Sequence, residues 1–315
     1  MGGDLAPTET VAGAVAAAAA GVDVILVGDE EPIRAALATH DSVLPVVHAS
    51  VTVDMGDDPG RALREKPDSS ISVASRLVAS GEAGGLVSAG STGAAMAAAA
   101  IIIGRVPGVL RPSIASVFPT PGSPTLVLDS GANPDVKPEH LVQFAQMGAV
   151  AAEALFGITN PRVALLSIGE EKSKGRHLER EANRLLGATS LNFVGNVEGR
   201  DVATDSTDVI VTDGFTGNVF LKSVEGTAQM VMGLAVEALS KLEPDVRERA
   251  MGALKEVRAM LDYETYGGAQ LLGVRGVVVI CHGSSTRVAI ANALQLASDA
   301  VDHELPERLA AAISG

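Results

Sequence analysis

The chain has 315 residues, 47% of them hydrophobic and 20% charged, with a formal net charge of −14. The apolar fraction excludes a disordered chain, and a single cysteine, Cys281, excludes a disulfide scaffold and fits a reducing compartment. The acidic balance, without a basic block, excludes broad electrostatic binding of nucleic acid, but a few placed cations and backbone N–H groups can still hold a small anion.

With 34 glycines, no tryptophan and 3% aromatic residues, the core must be built from Ala, Val, Leu and Ile. Met1 leads directly into Gly2-Gly3-Asp4, with no basic and apolar leader. That turn is followed by helix-like sequence from about Thr8. A doubly wound unit normally begins with a strand feeding such a turn, and none is visible ahead of it in this sequence. Val22–Val27 reads as a strand, with a helix from about Glu30, and Val43–His48 reads as a second strand. Ser69–Ser80 reads as a helix.

From Ala83 to Gly104 there is no charge. The glycines at 84, 85, 90 and 93 break that stretch into a strand at Gly85–Ser88, a turn, and a helix at Ala94–Ile103, which argues against a membrane span. Strands follow at Ser113–Phe118 and Thr125–Asp129, and a long helix at Pro138–Phe156. Then come a strand at Arg162–Ile168, a helix at His177–Leu186, and strands at Leu191–Gly195 and Asp208–Thr212. This alternation predicts an α/β fold: a doubly wound, mainly parallel sheet with helices on both faces.

From Phe215 to Leu261 the pattern is helical apart from Pro244, which separates two long helices. A strand at Val277–Ile280 and a helix from about Ser285 close the chain. The whole reads as one domain over 1–315, with a helical excursion at about 215–262.

Gly-rich polar turns recur at strand ends: Ser88–Gly93, Asp129–Asn133, Gly169–Gly175, Asp213–Asn218 and His282–Ser285. Parallel α/β sheets bind ligands at the carboxyl ends of their strands, so these turns are expected to converge on one cleft suited to a small anion. The bland readings stand beside this. Lys172 and Lys174 read also as solvated loop charges, His282 as a satisfied core histidine, and Asn133 and Asn218 as turn formers. Cys281 follows an apolar strand and reads as packing. No metal-ligand spacing and no G-x-S-x-G elbow is present.

Several motifs, in order over nearly the whole chain, resemble one family. They are Met1-Gly2-Gly3-Asp4 with Ala6-Pro7, Ser88-Ala89-Gly90 with Thr92-Gly93-Ala94, Gly104-Arg105 with Pro107, and Arg111-Pro112. Gly131-Ala132-Asn133 with Lys137–His140, Gly195–Glu198, Asp213–Asn218, Tyr266–Ala269 and His282–Ser285 continue the series. Together they resemble the bacterial phosphate acyltransferases of phospholipid synthesis (the PlsX family).

The resemblance implies a fold similar to isocitrate and isopropylmalate dehydrogenases. It implies transfer of a fatty acyl group from acyl carrier protein to inorganic phosphate, without a cofactor. The acyl phosphate product would feed a membrane glycerol-3-phosphate acyltransferase. It further implies a cytoplasmic homodimer in peripheral contact with the membrane through the helical pair, and Lys174 and Asn218 in the active site. The sequence departs from the family pattern in lacking the first strand, in Ser91 where Asn is usual, and in Arg176-His177 where Asn-Glu is common.

Phosphate is itself a competent nucleophile, so no enzyme nucleophile is required. The turn Ser91, Thr92 and Gly93, with Asn133 and Lys172, is the expected phosphate site. Lys174 and Asn218 are the expected charge-stabilising donors, and His282 the candidate for proton transfer to the departing thiol. In the helical pair, Leu242, Val246, Met251 and Leu254 are interleaved with Arg247, Arg249, Lys255 and Arg258. That pattern suits contact with anionic lipid or with an acidic carrier, and the inner turns suit a dimer interface. Two other classes share such a fold: an NAD(P)-dependent hydroxy-acid dehydrogenase, which needs an acidic metal cluster, and a non-catalytic carrier-binding scaffold.

Overall fold

The structure, a computed structural model, describes residues 2–118, 120, 122–261 and 263–314, without the side chains of residues 256, 258–261, 263 and 264. Met1 of the opening motif and the side chain of Arg258 therefore lie outside the described residues.

The chain opens with α1 (Thr8–Ala19), β1 (Leu26–Gly28), α2 (Glu30–Ala38) and β2 (Val46–His48); β1 and β2 pair in parallel as a small separate sheet. Next come α3 (Pro59–Glu65) and α4 (Ser70–Ser80). Asp58 accepts from the Arg61 amide and Pro59 occupies the first turn, which starts α3; Gly81, at φ +80°, ends α4. After β3 (Gly85–Ser88), α5 (Thr92–Ala98) continues through a π-helical turn to Ile103.

The middle of the chain carries β4 (Ser113–Phe118), β5 (Thr125–Leu128), α6 (Pro138–Phe156), β6 (Val163–Leu166), α7 (His177–Leu186), β7 (Phe193–Val197) and β8 (Val209–Val211). The long helices α8 (Gly214–Ser240) and α9 (Pro244–Leu261) follow, with Pro244 as the first residue of α9. The chain closes with β9 (Ala269–Leu272), β10 (Val277–Ile280), α10 (Arg287–Asp302) and α11 (Leu305–Ser314). The α/β class, the alternation and most element positions match the sequence reading. Three elements were not expected from sequence: α3, α11 and β9.

The large sheet has eight strands in the order β3-β10-β9-β4-β5-β8-β6-β7. Most neighbours are parallel, but β10/β9, β9/β4 and β4/β5 are antiparallel. The strands therefore run in opposite senses on the two sides of the β9/β4 pair, with β4 itself following β10. This corrects one expectation. The carboxyl ends of β3 and β10 lie at one edge of the sheet, while those of β5, β8, β6 and β7 lie at the other. The five Gly-rich turns do not share an edge.

Helix α6 crosses one face of the sheet so closely that a Cβ on Gly148 would lie 2.5 Å from Val209 Cγ1. Phe144 and Met147 from that helix are fully buried among Leu128, Leu165 and Val209. On the other side of the molecule, β1 and β3 are not paired. A cavity of about 830 Å³ separates them, lined by Val11, Ala14, Leu26, Leu86, Ile290 and Leu294. It occupies the gap between the two sheets.

Helices α1 and α10 hold the opening segment in place. A Cβ on Gly13 would lie 2.6 Å from Ile290 Cβ, so the two backbones approach closely. At their ends, Glu9 accepts from the Arg287 amide at 2.7 Å and from its Nε and Nη2 at 3.0 and 2.5 Å. These hydrogen bonds take the Glu9 carboxyl from 4.5 down to about 2. A depressed carboxyl stabilises the fold above its unfolded pKa, and that contribution fades as pH falls through the folded value. The stability gap between wild type and Glu9→Gln, read from denaturant midpoints, is expected to be constant near neutrality and to close between about pH 4.5 and about pH 2.

Candidate functional site

The site is built up from the carboxyl end of β5. Asp129 is fully buried there, and five amide groups converge on its carboxylate. Oδ1 accepts from the backbone amides of Ile114, Gly131 and Ala132 at 3.0, 3.3 and 3.0 Å. Oδ2 accepts from the Asn133 backbone and side-chain amides at 2.6 and 2.9 Å. Burial pushes the carboxyl above its ordinary value, and these donors offset only part of that. The result is a tight turn over Asp129–Asn133, with Ala132 packed against the buried cluster that includes Ile114, Leu271 and Val278.

Asn133 is buried, and its amide hydrogens go to Pro112 O at 2.8 Å and to Asp129, while Oδ1 accepts from Arg111. Its side chain therefore shapes the turn and has no donor left for an anion, which corrects the phosphate-binding expectation for this residue.

Helix α8 starts on top of this turn. Asp213 caps it by accepting from the Thr216 amide and hydroxyl, both at 2.8 Å. Burial pushes the Asp213 carboxyl up, but the Thr216 amide, the Arg176 guanidinium and the Thr216 hydroxyl outweigh it and hold the group below its ordinary value. A Cβ on Gly217 would sit 1.9 Å from the Asp129 carbonyl oxygen, so helix and turn meet backbone to backbone. Asn218 Nδ2 then donates to Ser130 O at 3.3 Å. Among the described residues its second amide hydrogen has no partner.

The lysine loop, Gly169–Gly175, lies at the end of β6. Asn196 Nδ2 donates to the carbonyls of Gly169 and Glu171 at 3.4 and 3.0 Å, and Arg180 Nη1 to that of Gly175 at 2.8 Å. The loop backbone is thus fixed, whereas Lys172 and Lys174 are exposed. No ion pair among the described residues includes either ammonium.

At the other edge of the sheet three turns meet. The Asp4 amide donates to Gly283 O at 2.7 Å, and a Cβ on Gly3 (φ +97°) would crowd the Ala89 and Gly283 carbonyls. Ser91 caps α5 by accepting from the Ala94 amide at 3.4 Å, and Thr92 and Gly93 form its first turn. Gly93 has a packing reason to be small, because a Cβ there would lie 2.6 Å from Pro59 Cγ. Cys281 is buried, which pushes its thiol up to about 12 and leaves it inert near neutrality.

The two edges are linked by α8. Asn218, Lys222 and Glu225 fall at i, i+4 and i+7, on one face of the helix. Phe220 and Val224 point the other way and pack beside Phe118, Leu166 and Ile210. Asn218 touches the Asp129 turn, and about 10 Å further along the helix Glu225 Oε1 lies 3.8 Å from His282 Nε2. Lys222 pairs with Glu225 at 2.8 Å. Burial and then Lys222 push the His282 imidazole below its ordinary value, against Glu225. At neutral pH that ring is uncharged, so it suits accepting a proton before passing one on.

Asn218 and His282 were singled out from sequence, and α8 places Lys222 and Glu225 between them, which the sequence reading did not name. The signal was the 218/222/225 spacing on a helix already expected. Beyond Val224, α8 leaves the sheet and packs mainly on α9. Met230, Leu234, Val236, Leu242 and Val246 are exposed there, as are Arg247, Arg249 and Lys255, while Met251 and Leu254 are half-buried. No helix among the described residues is long and apolar enough to cross a membrane, and no three His, Cys, Asp or Glu side chains gather as a metal site.

Residues 1–308 match the model of a family described as fatty acid synthesis protein. The chain is 48% identical over 318 residues to a phosphate acyltransferase of Pelotomaculum thermopropionicum, covering 99% of this chain and 93% of that protein. It is 50% identical over 309 residues to a phosphate acyltransferase of Geobacter, covering 95% and 87%. Among solved structures, a branched-chain phosphotransacylase from Enterococcus faecalis superposes with a TM-score of 0.63 at 18% identity, covering 95% of this chain and 96% of that one. A phosphotransacetylase from Streptococcus pyogenes gives a TM-score of 0.62 at 17% identity, covering 94% and 92%. At that identity these two structures establish the shared fold.

The backbone contact at Gly217 generates a test. Gly217→Ala must push α8 off the Asp129 turn and is expected to cost about 2 kcal/mol of unfolding free energy or more. Gly226→Ala, in the same helix with open space around it, is expected to be neutral or stabilising by up to about 1 kcal/mol. Denaturant midpoints of the two variants check both.

Proposed function

The chain belongs to the phosphate acyltransferase family, and from that premise we propose that it moves a fatty acyl group from acyl carrier protein to inorganic phosphate. A phosphate oxygen attacks the thioester carbonyl, the C–S bond breaks, and acyl phosphate and the free carrier thiol leave. The observation that carries this reading is the lysine loop. Its backbone is pinned by Asn196 and Arg180, yet its ammonium groups are exposed and without an ion-pair partner among the described residues, and the loop leads into Arg176, which pairs with Asp213, the cap of α8.

Lys174 supplies positive charge to the developing oxyanion, and the second amide hydrogen of Asn218 is the neighbouring donor. Lys172 adds charge at the loop's rim. The first turn of α5, with Ser91, Thr92 and Gly93, offers backbone N–H groups to phosphate. The uncharged His282 ring takes the proton of the attacking phosphate and returns it to the departing sulfur, a refinement of its expected role that follows from its depressed pKa. The product serves a membrane glycerol-3-phosphate acyltransferase in phospholipid synthesis. The enzyme acts as a cytoplasmic homodimer that touches the membrane surface. The α8–α9 pair supports that last point, since exposed Leu242 and Val246 stand beside exposed Arg247, Arg249 and Lys255.

Lys174→Ala is expected to lower phosphate-dependent release of carrier thiol about 10²-fold or more, the scale of one lost charge-stabilising group. Lys172→Ala should cost far less. Near-normal turnover of Lys174→Ala at saturating phosphate would remove the lysine loop from the active site.

The membrane contact is tested separately. Changing Leu242 and Met251 to Glu should abolish sedimentation with anionic vesicles while leaving turnover of soluble acyl carrier intact. Unchanged sedimentation refutes the contact, and conversion to monomers assigns these residues to the dimer interface.

A further inference from the structure

Lys174 acts only if the loop that carries it keeps its distance from α8. The backbone hydrogen bonds from Asn196 and Arg180 fix the loop to β7 and α7, and neither of them touches α8. The link to α8 is Arg176, the residue after the loop's last glycine. Its backbone amide donates to Glu179 Oε2 at 2.6 Å and its Nε to Glu179 Oε1 at 2.9 Å. Its Nη2 donates both to Glu179 Oε1 and to Asp213 Oδ2.

Asp213 is the cap of α8, and through Thr216 it fixes the turn that carries Asn218. The side chains of Glu179 and Asp213 are 9% and 2% exposed, while that of Arg176 is 60% exposed. Two buried carboxylates thus depend on one guanidinium reaching in from the surface. A planar fork can satisfy both at once, and a lysine ammonium cannot do so in the same geometry.

We propose that Arg176 is a positioning residue that clamps the lysine loop to the N-terminus of α8 and so sets Lys174 against Asn218. It touches no substrate and acts through Glu179 and Asp213. Its effect on turnover rests on the reading of Lys174 and Asn218 given above, whereas the clamp itself does not.

The test has two arms. Trypsin cuts after Lys172 and Lys174, so the loop reports its own mobility in the folded protein. Arg176→Ala is expected to speed cleavage at these two bonds about 10-fold or more, with cleavage outside residues 169–177 unchanged, the bond after residue 176 being lost with the arginine itself, as local opening requires. In the second arm it should lower kcat about 10-fold or more and leave the KM for acyl carrier within about twofold, as expected when a catalytic group is misplaced. Arg176→Lys should restore part of both. Where Arg176→Ala does not fold, Arg176→Gln keeps the chain length without the charge.

Unchanged cleavage of the loop overturns the clamp whatever the activity does. Accelerated cleavage throughout the chain overturns it also, by making Arg176 a general stabiliser. A wild-type protein that releases no thiol with phosphate sinks the functional reading alone, because the trypsin arm still decides the clamp.

Discussion

The buried carboxylate of Asp129 is the contact on which the site depends. A carboxylate out of water is costly unless its lone pairs are taken up, and here five amides take them up. Those amides belong to β4 and to the turn itself, so satisfying the charge fixes the turn's shape. The carbonyl of the same residue is the surface on which Gly217 rests, and the next carbonyl, Ser130, holds Asn218. One buried acid thus fixes the turn, the entry of α8 and the direction of a site side chain.

The reversal of strand sense gives α8 its second task. In an open sheet with uniform strand direction, all the strand-end turns would meet along one edge. Here β4 and β9 stand between two sets of strands that point opposite ways, which sends Ser88–Gly93 and His282 to the edge opposite Asp129 and Lys174. Helix α8 touches both edges, because Phe220 and Val224 anchor one of its sides and leave Asn218, Lys222 and Glu225 on the other. The antiparallel pair and the long helix are two parts of one arrangement.

The alternation of apolar runs and amphipathic stretches made the class legible, and the strands at Gly85–Ser88, Ser113–Phe118 and Val277–Ile280 match residue for residue. Strand direction was not legible. It turns on the antiparallel β4–β5 pair, because β4 runs with β10 and β5 against it, and the sequence of neither strand states its direction. Reading both strands as parallel led to the expectation of a single cleft. The candidate site was nominated from sequence where a residue type declares its chemistry, as with Lys174 and Asn218. It was not readable where the role depends on a distant partner. Asn133 looks like a ligand donor until Asp129 and Pro112 take its hydrogens. Arg176 looks like added positive charge until Glu179 and Asp213 absorb it.

The distribution of unpaired cations carries the last step. In a chain of net charge −14 a cation finds carboxylates easily, and Arg34, Arg61, Lys66, Arg76, Arg162, Arg184 and Arg287 all sit in described ion pairs. Among the described residues, Lys172, Lys174, Arg111 and Lys137 enter none, and neither do Arg247, Arg249 and Lys255; the same holds of Arg64, Arg105, Arg180 and Arg275, which are scattered over the fold. The first group belongs to the lysine loop and the Asp129 turn, the second to α9. Surface pairs between exposed side chains stabilise by at most about 1 kcal/mol, so leaving these cations unpaired costs the fold little. Each group is interleaved with carboxylates, Glu170 and Glu171 in the loop and Asp245 and Glu248 on α9, so what it offers an anion is unpaired donors at short range and not a net positive field. Under the proposed function the lysine loop serves the developing oxyanion, and the α9 cations stand beside exposed apolar side chains for a charged lipid surface.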